Sequence, residues 1–333
     1  MTSAEIQIQI FKSIKNSLPA HLSIVDEVAA VLEVSTDSVY RRMRGEKQLS
    51  IDELFRLCTH FQISMDHFLN LKSEGFLFSG TFAQPSTFKF DEYLLGVEQQ
   101  LKYMTSFKEK RMYFLPKDIL IFHHFQLKEI AAFKHFFWMK TLFQSPEFLK
   151  KKFDFASYPD QLFVISKRIL SYYLLLDATE VWSIENINST IRQIEFYRDT
   201  NMFESDQDVF IIYEAFEKLI THIEEQAALG YQFNIDDPKK KPQASFALYY
   251  NEVILGDSSF LVELDGKRMV YITHSIANYM TTRDVQFCDN MHEHVQNLMR
   301  KSTLISAVSE RERLRFFKFL RNRITTRKEK LQL

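Results

Sequence analysis

The chain has 333 residues and a formal net charge of -1, so bulk charge announces neither a nucleic-acid nor a membrane partner. Hydrophobic residues make up 46% and Phe alone occurs 32 times, which excludes a disordered chain and allows two domains with buried cores. With only 7 Gly and 7 Pro the composition leans helical, away from glycine-rich phosphate loops, and two separated cysteines exclude a disulfide framework.

Taken in order, Ile6, Ile10, Phe11 and Ile14 recur every three or four residues, an amphipathic helix over 4–16 ended by Leu18-Pro19. Ser23 offers an N-cap for a second helix, with Asp26 in its first turn and Ile24, Val28 and Leu32 inward. Glu33-Val34 forms a turn, and Ser35 caps a third helix that stops at Gly45, a left-handed C′ residue. Ser50 and Glu53 form a capping box for a fourth helix whose apolar face is Leu54, Leu57 and Phe61. A short fifth helix at 65–69 closes the unit. The third helix turns the polar pattern TD..YR..R outward. Burial does not explain such a face, whereas presentation to a DNA groove does.

Val28-Ala29, Leu32, Val34, Ser38-Val39, Gly45, residues 49–54 (LSIDEL) and Ile63-Ser64 with residues 66–69 (DHFL) together resemble the phage-repressor/Cro (XRE-type) helix-turn-helix over about fifty residues. The resemblance implies a five-helix DNA-binding domain over 1–72. Ala29 then marks the close approach of the second helix to the recognition helix, and Val28, Leu32, Val34 and Val39 build its small core. Its base-facing positions fall on Ser35, Thr36, Asp37, Tyr40, Arg41 and Arg44. Two positions depart from the family pattern. Glu33 stands where Gly is usual, and a side chain there strains a left-handed backbone. Arg42 stands at an apolar position near the end of the recognition helix. Either Met43 turns inward to replace it, or the Arg42 stem packs and its head reaches a phosphate.

The chemistry suits a groove. Arg41 and Arg44 carry the planar fork that matches guanine O6 and N7, and Ser35 and Thr36 can bond a base edge or a phosphate. Tyr40 can pack on a thymine methyl or donate to a phosphate. Asp37 either accepts from cytosine N4 or simply complements the helix dipole. Arg42 and Lys47 complete the DNA-binding set, against the alternative that these cations form an ordinary solvated face. Through residue 74 there are eight basic and ten acidic residues. A lone module of that balance binds DNA weakly, so two copies on one site are expected.

Residues 73–90 show no helical period and read as a linker, with Phe76, Phe78 and Phe82 alternating so that part of it docks as a strand. Residues 91–333 read as a larger, mainly helical domain. Helices are expected over 92–107, 119–142, 146–153, 159–176, 183–200 and 206–229, with a short strand at 112–116. Residues 244–274 turn β-branched and aromatic, and Asp265-Gly266 between two alternating runs is a type I′ hairpin signal. A small antiparallel sheet of about three strands is expected there, followed by helices over 285–299 and 309–324. The layout as a whole is similar to helix-turn-helix transcriptional regulators of Bacteroidota bacteria.

Little else carries chemistry. His123, His124, His135, His292 and His294 lack metal-ligand spacing and carboxylate support, so a metal site is not expected. Ser258, Ser259 and Ser302 fall in no hydrolase motif. No catalytic residue and no cofactor are expected. The aromatic run 133–143 reads as core, as dimer interface or as the wall of a ligand pocket. The basic stretch from Arg311 to Lys330 reads as a solvated helix, or as one that meets DNA phosphates or an acidic partner. No apolar run reaches membrane-span length and no secretory signal is visible, so a cytoplasmic protein is expected. The sequence therefore points to a sequence-specific regulator that binds double-stranded DNA as a homodimer through its C-terminal domain. That domain leaves room for a small-molecule effector whose identity the sequence does not give. Two alternatives stand beside it: an interaction or scaffold protein with a degenerate helix-turn-helix, and an enzyme with a DNA-binding appendage.

Overall fold

Capping chemistry sets the first four helices of the computed structural model, which describes residues 2–19, 22–61, 63, 75–80, 88–253, 258–275 and 277–330. Thr2 and Glu5 form a capping box that opens α1 (Ser3–Ser17). The Ser23 hydroxyl caps α2 (Ile24–Leu32), and the Ser35 hydroxyl caps α3 (Thr36–Met43). At the start of α4 (Ile51–Phe61), Ser50 Oγ accepts from Glu53 N, and Glu53 Oε2 accepts from Ser50 N, each at 3.1 Å. Ile10, Phe11, Ile14, Val28, Leu32, Val39, Leu57 and Phe61 close a separate core over these helices. The chain divides into two units, 1–76 and 77–333.

The second unit is built on one sheet of eight strands in the order β1-β7-β6-β5-β2-β3-β4-β8. The strands are β1 (Ser79–Gly80), β2 (Lys110–Leu115), β3 (Asp177–Trp182), β4 (Phe246–Tyr250), β5 (Ser259–Leu264), β6 (Lys267–Ser275), β7 (Asn278–Thr282) and β8 (Thr303–Leu304). β2, β3 and β4 run parallel, and the other neighbours pair antiparallel. α5 (Phe90–Thr105) leads into β2. Parallel neighbours need long crossovers, which here are helical. The crossover from β2 to β3 passes through α6 (Ile121–His124), α7 (Lys128–Phe137) and α8 (Asp160–Tyr173). The crossover from β3 to β4 passes through α9 (Asn188–Asp199) and α10 (Asp206–Leu229). α11 (Val285–Arg300) and α12 (Glu310–Glu329) complete the unit.

Alternation along the strands divides the core in two. Met112, Phe114, Ala178, Trp182 and Val262 join the large cluster filled by side chains of α5–α10 and α12. Tyr113, Leu115, Val181, Leu261 and Val270 face the other way, onto Cys288, Val295 and Leu298 of α11. Phe78 stacks edge-on against Phe287, and β1 pairs with β7, so part of the expected linker belongs to the sheet.

This architecture corrects the expected fold class. The sheet is mixed and eight-stranded, not a small antiparallel one, because β2, β3 and β4 supply a parallel centre and short edge strands extend it on both sides. A five-helix N-terminal domain is not supported: four helices are described, and the fifth expected at 65–69 lies outside the described residues. The helix expected over 119–142 is three pieces, ending in a π-helical turn at Trp138–Leu142. Residues 146–153 are not α-helical. Lys140 Nζ instead gathers the carbonyls of Phe148, Leu149 and Lys151 at 3.0, 2.6 and 2.7 Å, which turns them away from a helical ladder.

Candidate nucleic-acid interface

The α2–α3 corner is made by one unusual backbone. Glu33 ends α2 at φ 57°, ψ 43°, a left-handed conformation that costs a non-glycine residue roughly 1–2 kcal/mol. Ser35 then turns the chain into α3, its Oγ accepting from Ser38 N at 3.4 Å. α3 ends with Glu46 N donating to Arg41 O and Gly45 N to Arg42 O, the paired bonds of a Schellman cap. Gly45 has φ +77°, and a Cβ there would also sit 3.2 Å from the Ala4 Cβ.

Val39 and Arg42 are the buried residues of α3, and every other candidate points out. Ser35, Thr36, Asp37, Tyr40, Arg41, Arg44 and Lys47 are exposed, Tyr40 by 49%. Arg44 is not idle: its Nε and Nη2 donate to the Glu46 carboxylate at 2.6 and 3.1 Å, and Arg41 Nε lies 4.0 Å from the same group. Those bonds hold the Glu46 carboxyl below, and the Arg44 guanidinium above, their ordinary ranges.

Arg42 departs from the expected set. Its side chain is only 2% exposed, with Nη2 and Nε on the Glu53 carboxylate at 2.5 and 3.2 Å and Nη1 donating to Ser38 O at 3.1 Å. Each arrangement expected for this position is found in part: Met43 packs against the core but beside Arg42, not in its place, and the Arg42 stem is buried but its head meets Glu53, not the surface. The guanidinium is spent inside the module, so Arg42 is a packing residue and not a groove-facing one. The same Glu53 closes the capping box of α4, which joins the two helices through one carboxylate.

Gln7, which periodicity places among ordinary polar residues of α1, is a second positioning group. It is 6% exposed. Its Nε2 donates to Arg42 O and Lys47 O at 2.7 and 2.8 Å, and its Oε1 accepts from Leu49 N at 2.8 Å. The loop after α3 is thereby fastened to α1. The only signal in the sequence is a glutamine in helical register with Ile10 and Ile14.

The other polar groups singled out lie in the second unit. His123 Nε2 sits 2.8 Å from Glu180 Oε1, and Tyr173 OH and Trp182 Nε1 donate to the same carboxylate at 3.0 and 2.7 Å, all of it buried. His124 and His135 are also buried, and burial pushes both below the ordinary imidazole range. No cluster of three or more metal-ligating side chains occurs among the described residues. Along α12, Arg321, Arg323, Arg327 and Lys328 pair with Glu224, Glu185, Glu195 and Glu217. Much of the basic run is therefore neutralised within the unit. No described helix is long and apolar enough to cross a membrane. Comparison with known proteins finds no matching family model, no similar curated protein and no similar solved structure.

Proposed function

We propose that the chain is a sequence-specific, DNA-binding transcriptional regulator that inserts α3 into the major groove. The observation that carries this reading is the division of α3 into two faces. Val39 and Arg42 are buried, while Thr36, Asp37, Tyr40, Arg41 and Arg44 stand together on an exposed polar face at the end of a capped two-helix corner. Arg41 and Arg44 are the base-reading candidates, Ser35, Thr36 and Lys47 the phosphate candidates, and Tyr40 serves either. The module carries two more acidic than basic residues, so we propose a homodimer through the second unit, presenting two α3 helices to half-sites about 34 Å apart.

Selection of bound sequences from random double-stranded DNA with the purified full chain tests this directly. Enrichment of a two-fold symmetric site is the expected result. Failure to enrich any sequence at low salt sinks the proposal and favours a second reading, a protein-interaction module. That reading draws on α4, where Ile51 and Phe55, one turn apart, are 85% and 69% exposed.

A further inference from the structure

Open sheets with parallel strands hold ligands where those strands end, because the loops and helix starts that follow diverge there. At the carboxyl ends of β2 and β3 lies a cleft of about 610 Å³, bordered by Lys117, Glu185, Asn188, Arg192, Gln193 and Phe196. The fold holds it open from below. Asn186 Nδ2 donates to Pro116 O at 2.6 Å, which fastens the loop after β3 to the loop after β2. Under the cleft, Lys134 is 1% exposed, and its Nζ lies 2.9 Å from both Asp118 Oδ2 and Gln193 Oε1. Thr190 Oγ1 donates to the other Asp118 oxygen at 3.1 Å.

The electrostatics of the lining are one-sided. Its single carboxylate, Glu185, accepts from Asn188 Nδ2 and sits 3.7 Å from Arg323 Nη1, so its charge is already met. The buried Lys134 is offset by Asp118. The walls also carry Lys117, which is already engaged, and Arg192, which is exposed with no ion pair or hydrogen bond among the described residues. The apolar part of the wall is Phe137 with Phe196, the latter 52% exposed. A phenyl ring beside an unpaired guanidinium, over a floor of satisfied polar groups, matches a ligand with a flat apolar body and a negative group.

We propose that this cleft binds a small anion carrying an aromatic body, its carboxylate or phosphate on Arg192 and its ring against Phe137 and Phe196. The proposal does not depend on DNA binding, because its test contains no DNA. Isothermal titration of the full chain with phenyl phosphate, inorganic phosphate and phenol compares the whole probe with its two halves. Saturable binding of phenyl phosphate is expected, with each half binding at least about tenfold more weakly. Arg192→Gln and Phe196→Ala should each weaken phenyl phosphate binding by about tenfold while leaving the unfolding midpoint in place, since both side chains are exposed. Absence of saturation at millimolar phenyl phosphate overturns the proposal. So does binding that Arg192→Gln leaves unchanged, or phenol binding as tightly as phenyl phosphate.

Discussion

Arg42 and Glu53, eleven residues apart on α3 and α4, form a bidentate ion pair in which the arginine is buried and the carboxylate is 22% exposed. A buried pair stabilises less than its geometry suggests, because both charges lose solvent, but removing one partner strands the other. Glu53→Ala leaves a guanidinium 2% exposed without its anion and also removes the Glu53 side-chain half of the α4 capping box. It should destabilise the first unit by about 3–5 kcal/mol. Arg42→Met places an apolar side chain in the buried position and leaves Glu53 22% exposed and still bonded to Ser50 N, so it should cost clearly less than Glu53→Ala. Urea unfolding followed by helical circular dichroism compares the two. Equal losses would mean that the pair is not what Arg42 contributes.

Glu46 competes with any nucleic acid for Arg44. With the carboxylate on Arg44 Nε at 2.6 Å and near Arg41, a phosphate or guanine must displace it. Glu46→Gln should tighten DNA binding several-fold at low salt, because one negative charge leaves the interface and two guanidinium groups are released. Unchanged affinity on the selected site would remove Arg44 from the reading face. By contrast, Arg41→Ala should cost about 1–3 kcal/mol on the cognate site and relax one base position. Equal loss on every sequence would make Arg41 a phosphate contact.

The left-handed Glu33 is a site for stabilisation. Its side chain is exposed and φ is 57°, so glycine removes the steric cost and gives up no buried contact. Glu33→Gly should stabilise the first unit by about 1 kcal/mol, the relief of Cβ strain exceeding the entropy added to the unfolded chain. A lower unfolding midpoint would show that the Glu33 side chain holds something the backbone argument ignores.

Acid should weaken the second unit. Burial lowers His135 to about 4 and His222 to about 3, with Glu147 opposing the shift at His135, and the Phe233 carbonyl and Asp236 opposing it at His222. Both imidazoles are therefore neutral in the fold, while the unfolded chain takes up protons below about pH 6.5. Stability is complete above that pH and falls as the pH drops towards 4 and 3. At pH 5 each histidine accounts for about 2 kcal/mol of the loss. His135 lies among Phe90, Phe148 and Tyr158, so His135→Phe fits the chemistry of the site and should flatten part of the decline. Urea midpoints at pH 7.5 and 5.0, read by Trp138 and Trp182 fluorescence, decide the matter. Parallel declines in the two proteins would contradict it.

The carboxylate of Glu180 serves three buried donors, and its loss orphans all of them. Glu180→Leu should destabilise the second unit by about 3–5 kcal/mol. Glu180→Gln keeps an acceptor in place and should cost less. If the order is reversed, packing and not hydrogen bonding governs the site.

What the sequence made legible is what short-range chemistry controls. Ser23, Ser35 and the Ser50–Glu53 box mark helix starts, Gly45 marks an end, and Asp265-Gly266 marks the β5–β6 turn, both residues having positive φ. The parallel centre was not legible. Strands covered on both faces lose alternation, and β3 reads DATEVW, half of it polar. Its Glu180 is tolerated only because His123, far off in the chain, and Tyr173 reach it. Arg42 eludes the sequence for the same reason: a charge at a helical position signals solvent until its partner is known, and Glu53 already has a local role in the α4 capping box. Much of the candidate groove-facing set could be read from α3 alone, whereas Gln7, which positions the loop beyond it, depends on three contacts more than thirty residues away.

The pairing of β1 with β7 has a consequence for biosynthesis. Ser79 faces Thr281 and Gly80 faces Met280, so the edge of the sheet cannot form until the ribosome has delivered residues some two hundred positions later. The first unit closes its own core within 76 residues of helix-rich, local contacts. It should finish folding while the second unit is still an open, aromatic-rich nascent chain, so the period of greatest exposure to misassembly belongs to the sheet.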